Sequence, residues 1–98
     1  MLCKEQVIFY GAGPYLAQHW KRLQNEGYLP LCVCDRDETK QHKPFGDHSE
    51  VMVLPLVEAL EQYPDKRIYV TVSHTALGSV LHYLTAECGI AKDRIVNY

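Results

Sequence analysis

The chain has 98 residues, 47% of them hydrophobic and 22% charged, with a formal net charge of -2 at pH 7. That length suits one domain, residues 1–98, with a core of moderate size. Near-neutral charge without a Lys/Arg block excludes an electrostatic nucleic-acid binder, and no apolar stretch approaches the roughly 20 residues of a membrane helix.

Val7 to Tyr10 is a short apolar run ending at Gly11, which suits a buried parallel strand. From Pro14 the period becomes helical. Leu16, Trp20, Leu23 and Ala17 share a face, Pro14 fits the first helical position, and Gly27 fits the residue just past the end. Leu29 to Cys34 reads as a second strand with Pro30 near its start. Asp35 to Glu50 is polar and lacks apolar periodicity, so it reads as a long loop with a helical turn near Asp37 to Gln41. A loop of that length in a small domain is often functional.

Val51 to Val53 is a short third strand, and Pro55 opens a helix with Leu56, Val57 and Leu60 on one face, ending near Tyr63-Pro64. Ile68 to Val72, rich in β-branched and aromatic residues, is a fourth strand. Ser73 or Thr75 is expected to cap the next helix, whose stripe is Leu77, Val80, Leu81, Leu84 and Cys88. Gly89 followed by Ile90 matches a helix stop, and Arg94 to Val96 is a last short strand.

Strands alternating with helices predict an α/β, Rossmann-like three-layer sandwich. Its parallel sheet of about five strands takes the order 3-2-1-4-5, with right-handed crossovers and helices on both faces. That order opens a crevice between the first and fourth strands at their carboxyl ends.

The segment Gly11-Ala12-Gly13-Pro14-Tyr15 lies between the first strand and the first helix, the setting a dinucleotide-binding turn requires. Gly11 permits a tight turn and Gly13 lets a phosphate approach the backbone. The helix N-terminus offers unpaired N–H groups and a positive dipole end to the anion. Asp35 ends the second strand at about the ~20-residue spacing where an acid accepts ribose hydroxyls, which favours NAD over NADP. Arg36 beside it is placed to stack on a base or pair with a phosphate, or else is a solvated loop charge. Ser73 and His74 follow the fourth strand and should line the same crevice, His74 being placed to contact a phosphate or substrate or else a polar loop residue.

One position departs from G-x-G-x-x-G. Leu16 stands where the third glycine allows close helix–strand packing, and a leucine there is expected to displace the helix and weaken a cofactor site.

Cys3, Cys32, Cys34 and Cys88 lack metal or redox spacing. On a strand, Cys32 and Cys34 share a face and read as small buried hydrophobes. His42 and His48 match no metal-ligand pattern, and no metal is expected. The apolar run behind Met1–Gln6 is too short for a signal peptide, so the expected setting is cytoplasmic.

With Tyr10-Gly11-Ala12-Gly13, Asp35, and the closing Gly89-Ile90 … Ile95-x-Asn97-Tyr98, nearly the whole chain resembles a known group. These are the small Rossmann-like NAD(P)-binding or CoA-binding-like domains attached to bacterial polysaccharide enzymes: nucleotide-sugar dehydratases and epimerases, sugar acyltransferases and FkbM-type methyltransferases. The resemblance implies that Gly11, Ala12 and Gly13 form the phosphate turn and Asp35 the ribose-end acid. It also implies a nucleotide or nucleotide-sugar ligand, with catalysis supplied by a separate domain.

Three readings of the sequence stay open. The first is a binding module that positions NAD(H) or a sugar nucleotide for a catalytic partner. The second is a ligand-free scaffold for homodimerisation or docking. The third is a small stand-alone NAD-dependent oxidoreductase or epimerase, which the absence of a Tyr-x-x-x-Lys pattern disfavours.

Overall fold

A computed structural model describes residues 4–96. Cys3 and the closing Asn97-Tyr98 lie outside the described residues. The elements run β1 (Glu5–Tyr10), α1 (Pro14–Asn25), β2 (Tyr28–Cys34), β3 (Lys43–Phe45), β4 (His48–Leu54), α2 (Leu56–Gln62), β5 (Ile68–Val70) and α3 (His74–His82). A π-helical turn, Tyr83–Glu87, extends α3, and a short 3-10 turn follows at Lys92–Arg94.

The strands form one sheet in the order β3-β4-β2-β1-β5. All neighbours are parallel except β3, which runs antiparallel to β4. This is a Rossmann-like α/β sandwich, and it differs from the expected order 3-2-1-4-5 at both edges. On one edge, the segment expected to be a loop carries an extra strand, β3. It is joined to β4 by Gly46-Asp47, so β4 starts at His48 and not at Val51. On the other edge, the expected strand Arg94 to Val96 reduces to a single bridge from Ile95 to Ile68, because the chain before it is coiled into the 3-10 turn. The fourth expected strand also stops at Val70, where Thr71 turns its hydroxyl back to β1.

The alternation of β1 explains the layering. Val7 and Phe9 face one way, with Val33, Val53, and the α1 residues Leu16, Trp20 and Leu23 in the same cluster. Ile8 and Tyr10 face the other way, with Cys32, Cys34, Ile68, Val70, and Ala59 of α2. Side chains of this size contribute about 1.5–3 kcal/mol each when fully buried, so both faces of the sheet hold the domain together. Cys32 and Cys34 are core residues, as their spacing implied. The hydrogen bond to Cys32, together with burial, pushes the Cys34 thiol far up, which keeps it inert.

Pro30 sits inside β2, where it cannot donate to a ladder. The β1–β2 register shifts between Val7 and Ile8, so that Val7 pairs with Pro30 and Ile8 with Cys32. The pairing of β2 with β4 is confined to Val33 and Cys34, beyond the proline. A proline and a bulge thus share the half of the strand that has one neighbour.

Candidate functional site

The turn after β1 is held from three sides. The Gly11 amide donates to the Cys34 carbonyl at 2.7 Å. The buried Thr71 hydroxyl lies 3.0 Å from both the Tyr10 and Gly11 carbonyls. The Ala12 amide donates to Asp35 Oδ2 at 2.9 Å. Gly11 has a φ of 118°, and a Cβ placed there would lie 2.7 Å from the Thr71 carbonyl oxygen and from Val72 Cγ1. Only glycine satisfies both demands.

Gly13 differs. Its φ of -100° and ψ of -168° are open to any residue, and a Cβ there would meet nothing within 4 Å. The fold does not require a glycine at this position, and its missing side chain leaves the approach to the backbone unobstructed. Gly13 is also the N-cap of α1, Pro14 follows it, and no described side chain caps the helix. Gly11 and Ala12 spend their amides inside the fold. Gly13 and the first turn of α1 therefore hold the amides that the fold leaves unused, beside the positive end of the helix dipole.

Gly11, Gly13, Pro14, Tyr15, Asp35 and Ser73 line one crevice of about 250 Å³ at the carboxyl ends of β1 and β5. The structure thus brings together most of the residues singled out from sequence. Ala12 lines a different and larger cavity on the α1 side of the sheet. Arg36 lies outside the crevice, with its guanidinium 4.4 Å over the Tyr83 ring, in a groove shared with α2. His74 is exposed at the start of α3 and is not among the residues lining the crevice. Ser73 occupies the N-cap position of α3 without a side-chain cap bond; its hydroxyl pairs with that of Thr75 at 3.1 Å.

Asp35 does more than its position at the end of β2 suggested. Besides accepting from Ala12, its Oδ1 accepts the Asp37 amide at 2.9 Å. The carboxylate joins the turn to the loop that leaves β2, and each oxygen keeps acceptor capacity for a further donor. Leu16 is wholly buried with Val7, Phe9 and Val33, so the third-glycine position is filled by core packing.

Lys40 was not singled out from sequence. It is half-buried, and its Nζ reaches the Ala12 carbonyl at 3.4 Å. The contact spans 28 positions, and no local pattern announces it. Among the described residues, no group of three or more His, Cys, Asp or Glu side chains is placed to hold a metal ion. None of the described helices is long and apolar enough to cross a membrane.

No family model and no curated protein matches the chain. Solved structures share its fold. One is UDP-D-quinovosamine 4-dehydrogenase from Vibrio fischeri, 18% identical, with a TM-score of 0.59 over 86% of this chain and 72% of that one. Another is RSP, a Rex-family repressor, 12% identical, with a TM-score of 0.55 over 90% of this chain and 43% of that one. The chain therefore spans less than half of the repressor, and at these identities the likeness is one of fold.

Proposed function

We propose that this chain is a nucleotide-binding module for NAD(H) or a sugar nucleotide. It receives the ligand's phosphates at the Gly11–Gly13 turn and positions the ligand for a separate catalytic domain or subunit. The carrying observation is Gly13, a glycine that the backbone does not need, set at an uncapped helix N-terminus. The donor set fits an anion: two or more free amides and the helix dipole, with no acidic residue in the first turn of α1. Asp35 would accept a ribose hydroxyl with its remaining lone pairs, and Ser73 would reach the group beyond the phosphates. When bound, NAD would supply hydride chemistry, while this chain contributes binding and orientation.

Similarity in fold to a UDP-sugar dehydrogenase supports the sugar-nucleotide form of the reading, in keeping with a role in polysaccharide or nucleotide-sugar metabolism. Free, buried Cys32 and Cys34 suit a reducing cytoplasm. Docking without a ligand is the second reading. It is favoured by α3, which has no fully buried residue, and by Val57 of α2, which is 67% exposed.

Thermal-shift and calorimetric titration with NAD(H), NADP(H), UDP-sugars and CoA at millimolar concentration test the proposal. A ligand at a hundredfold excess over its dissociation constant stabilises the fold by about 2.7 kcal/mol. A melting temperature unmoved by every one of them overturns it.

A further inference from the structure

The connection from β2 to β4 crosses between parallel strands without a helix. In its place are a polar turn and the β3–β4 hairpin, so among the described residues α1 has no helical neighbour on that flank. The space between α1 and the hairpin is a cavity of about 620 Å³, more than twice the crevice on the other side of the turn. Its volume falls in the ~300–1,000 Å³ range of small-ligand sites.

Three features of the lining point to one kind of occupant. At the end nearest the turn, Lys40 gives one hydrogen bond to the Ala12 carbonyl, which leaves the other two donors of its ammonium group for a ligand. Lys43, on the exposed edge strand, adds a second positive charge, while Asp47 is the one acid among the described lining residues. The hairpin side of the lining carries two aromatic rings, Phe45 and His48. The His48 ring stacks on Trp20 at 4.2 Å and 18°, and Phe45 lies parallel to it at 5.9 Å and 11°. A cationic mouth beside the turn and a planar ring wall behind it suit a molecule with a charged phosphate end and a planar heterocycle.

We infer that the cavity between α1 and the β3–β4 hairpin is the nucleoside subsite of a nucleoside diphosphate. This rests on the reading of the turn as a phosphate site. The base lies against the His48 wall, Lys40 and Lys43 hold the phosphates as they pass to Gly13, and the group on the distal phosphate reaches the crevice at Ser73. The ligand class is thereby a nucleoside diphosphate bearing a second group, with the nucleoside on the β4 side of the turn.

Calorimetry with UDP, ADP, NAD and inorganic pyrophosphate tests this on the wild type and on Lys43→Glu, Lys40→Ala and His48→Ala, each first shown to be folded by its melting transition. Loss of a charge-assisted contact should weaken the nucleotides by about tenfold or more in each lysine variant. His48→Ala should weaken the nucleotides and leave pyrophosphate unchanged. Lys43 is exposed on an edge strand, so its variant remains decisive should His48→Ala fail to fold. Amide shifts in the wild type, titrated with UDP, should move at Lys43 to His48. If nucleotides bind but all three variants bind them equally and these amides stay still, the cavity is not the nucleoside subsite and the turn reading survives. If no nucleotide binds the wild type, both fall.

Discussion

Asp35 accepts the Ala12 amide through Oδ2 at 2.9 Å and the Asp37 amide through Oδ1 at the same distance, so one carboxylate ties the β1 turn to the loop leaving β2. The pairing is a product of the parallel register. Tyr10 lies opposite Cys34, which brings the residues just past each strand end together. Asp35→Ala should therefore act on the free protein as well as on ligand affinity. Losing two hydrogen bonds to a charged acceptor should cost about 1–3 kcal/mol, with partial relief from water at this half-buried site. For a domain of this size that is roughly 4–8 °C of melting temperature per kcal/mol. Thermal unfolding without ligand is the measurement, and an unchanged transition would show that the turn does not depend on Asp35.

Gly11 and Gly13 make a matched pair for separating fold from binding. Gly11→Ala places a Cβ against backbone at a positive φ, which should destabilise by about 2–4 kcal/mol. Gly13→Ala meets open space and an extended backbone, so its stability should stay within about 0.5 kcal/mol of wild type. The same methyl group narrows the approach to the α1 amides, and nucleotide affinity should fall. Denaturant melts and ligand titration on both variants check this. A Gly13→Ala protein that binds like wild type removes the central support for a phosphate at the turn.

The turn was legible because its cues are local. An apolar run, a glycine pair and a proline-led helical period follow one another within a few positions, and each acts on its own neighbourhood. The edge hairpin was harder to see. Pro44 reads as a breaker, yet proline is tolerated on an edge strand, and Gly46-Asp47 is a two-residue hairpin signal lying inside polar sequence. Lys40 at the Ala12 carbonyl and Thr71 across Tyr10 and Gly11 are contacts between distant segments. They exist only once the sheet is assembled, and no periodicity encodes them. Arg36 and His74 show the converse: adjacency in sequence to a strand end did not bring either side chain into the crevice.

At the opposite end of the sheet, Arg67 donates Nε–H and an Nη2–H to the two oxygens of Glu5, fastening the start of β1 to the start of β5. The Arg67 hydrogen bonds hold the Glu5 carboxyl below its ordinary value of 4.5. A lowered folded-state value means that the contribution is complete above the unfolded value and is lost as pH falls through the folded one. Both side chains are well exposed, so solvent screening keeps the worth of the pair to about 0.5–1 kcal/mol. Glu5→Gln should be less stable than wild type by that amount at neutral pH, and the two should converge well below pH 4.5. Urea melts at both ends of the range check the sign; a gap that widens on acidification contradicts it.

At Leu16 two physical demands meet. A glycine at this position would let α1 approach β1 and would open the turn to a dinucleotide in the manner of the three-glycine pattern. The leucine actually present is fully buried in the cluster of Val7, Phe9, Trp20 and Val33. Removing such a side chain costs about 2–5 kcal/mol through lost transfer energy and the cavity left behind, and glycine inside a helix adds about 1 kcal/mol relative to alanine. That sum is a large share of the ~5–15 kcal/mol a domain has in hand. Leu16→Gly should therefore lower stability sharply, and any gain in affinity would have to be read on a partly unfolded protein. Leu16→Met keeps the volume at a cost of less than about 1.5 kcal/mol and should leave nucleotide affinity unchanged. Comparing the two by denaturant unfolding and ligand titration separates the roles. If Leu16→Gly melts like wild type and binds NAD more tightly, the leucine is an obstruction at the site and not a member of the core.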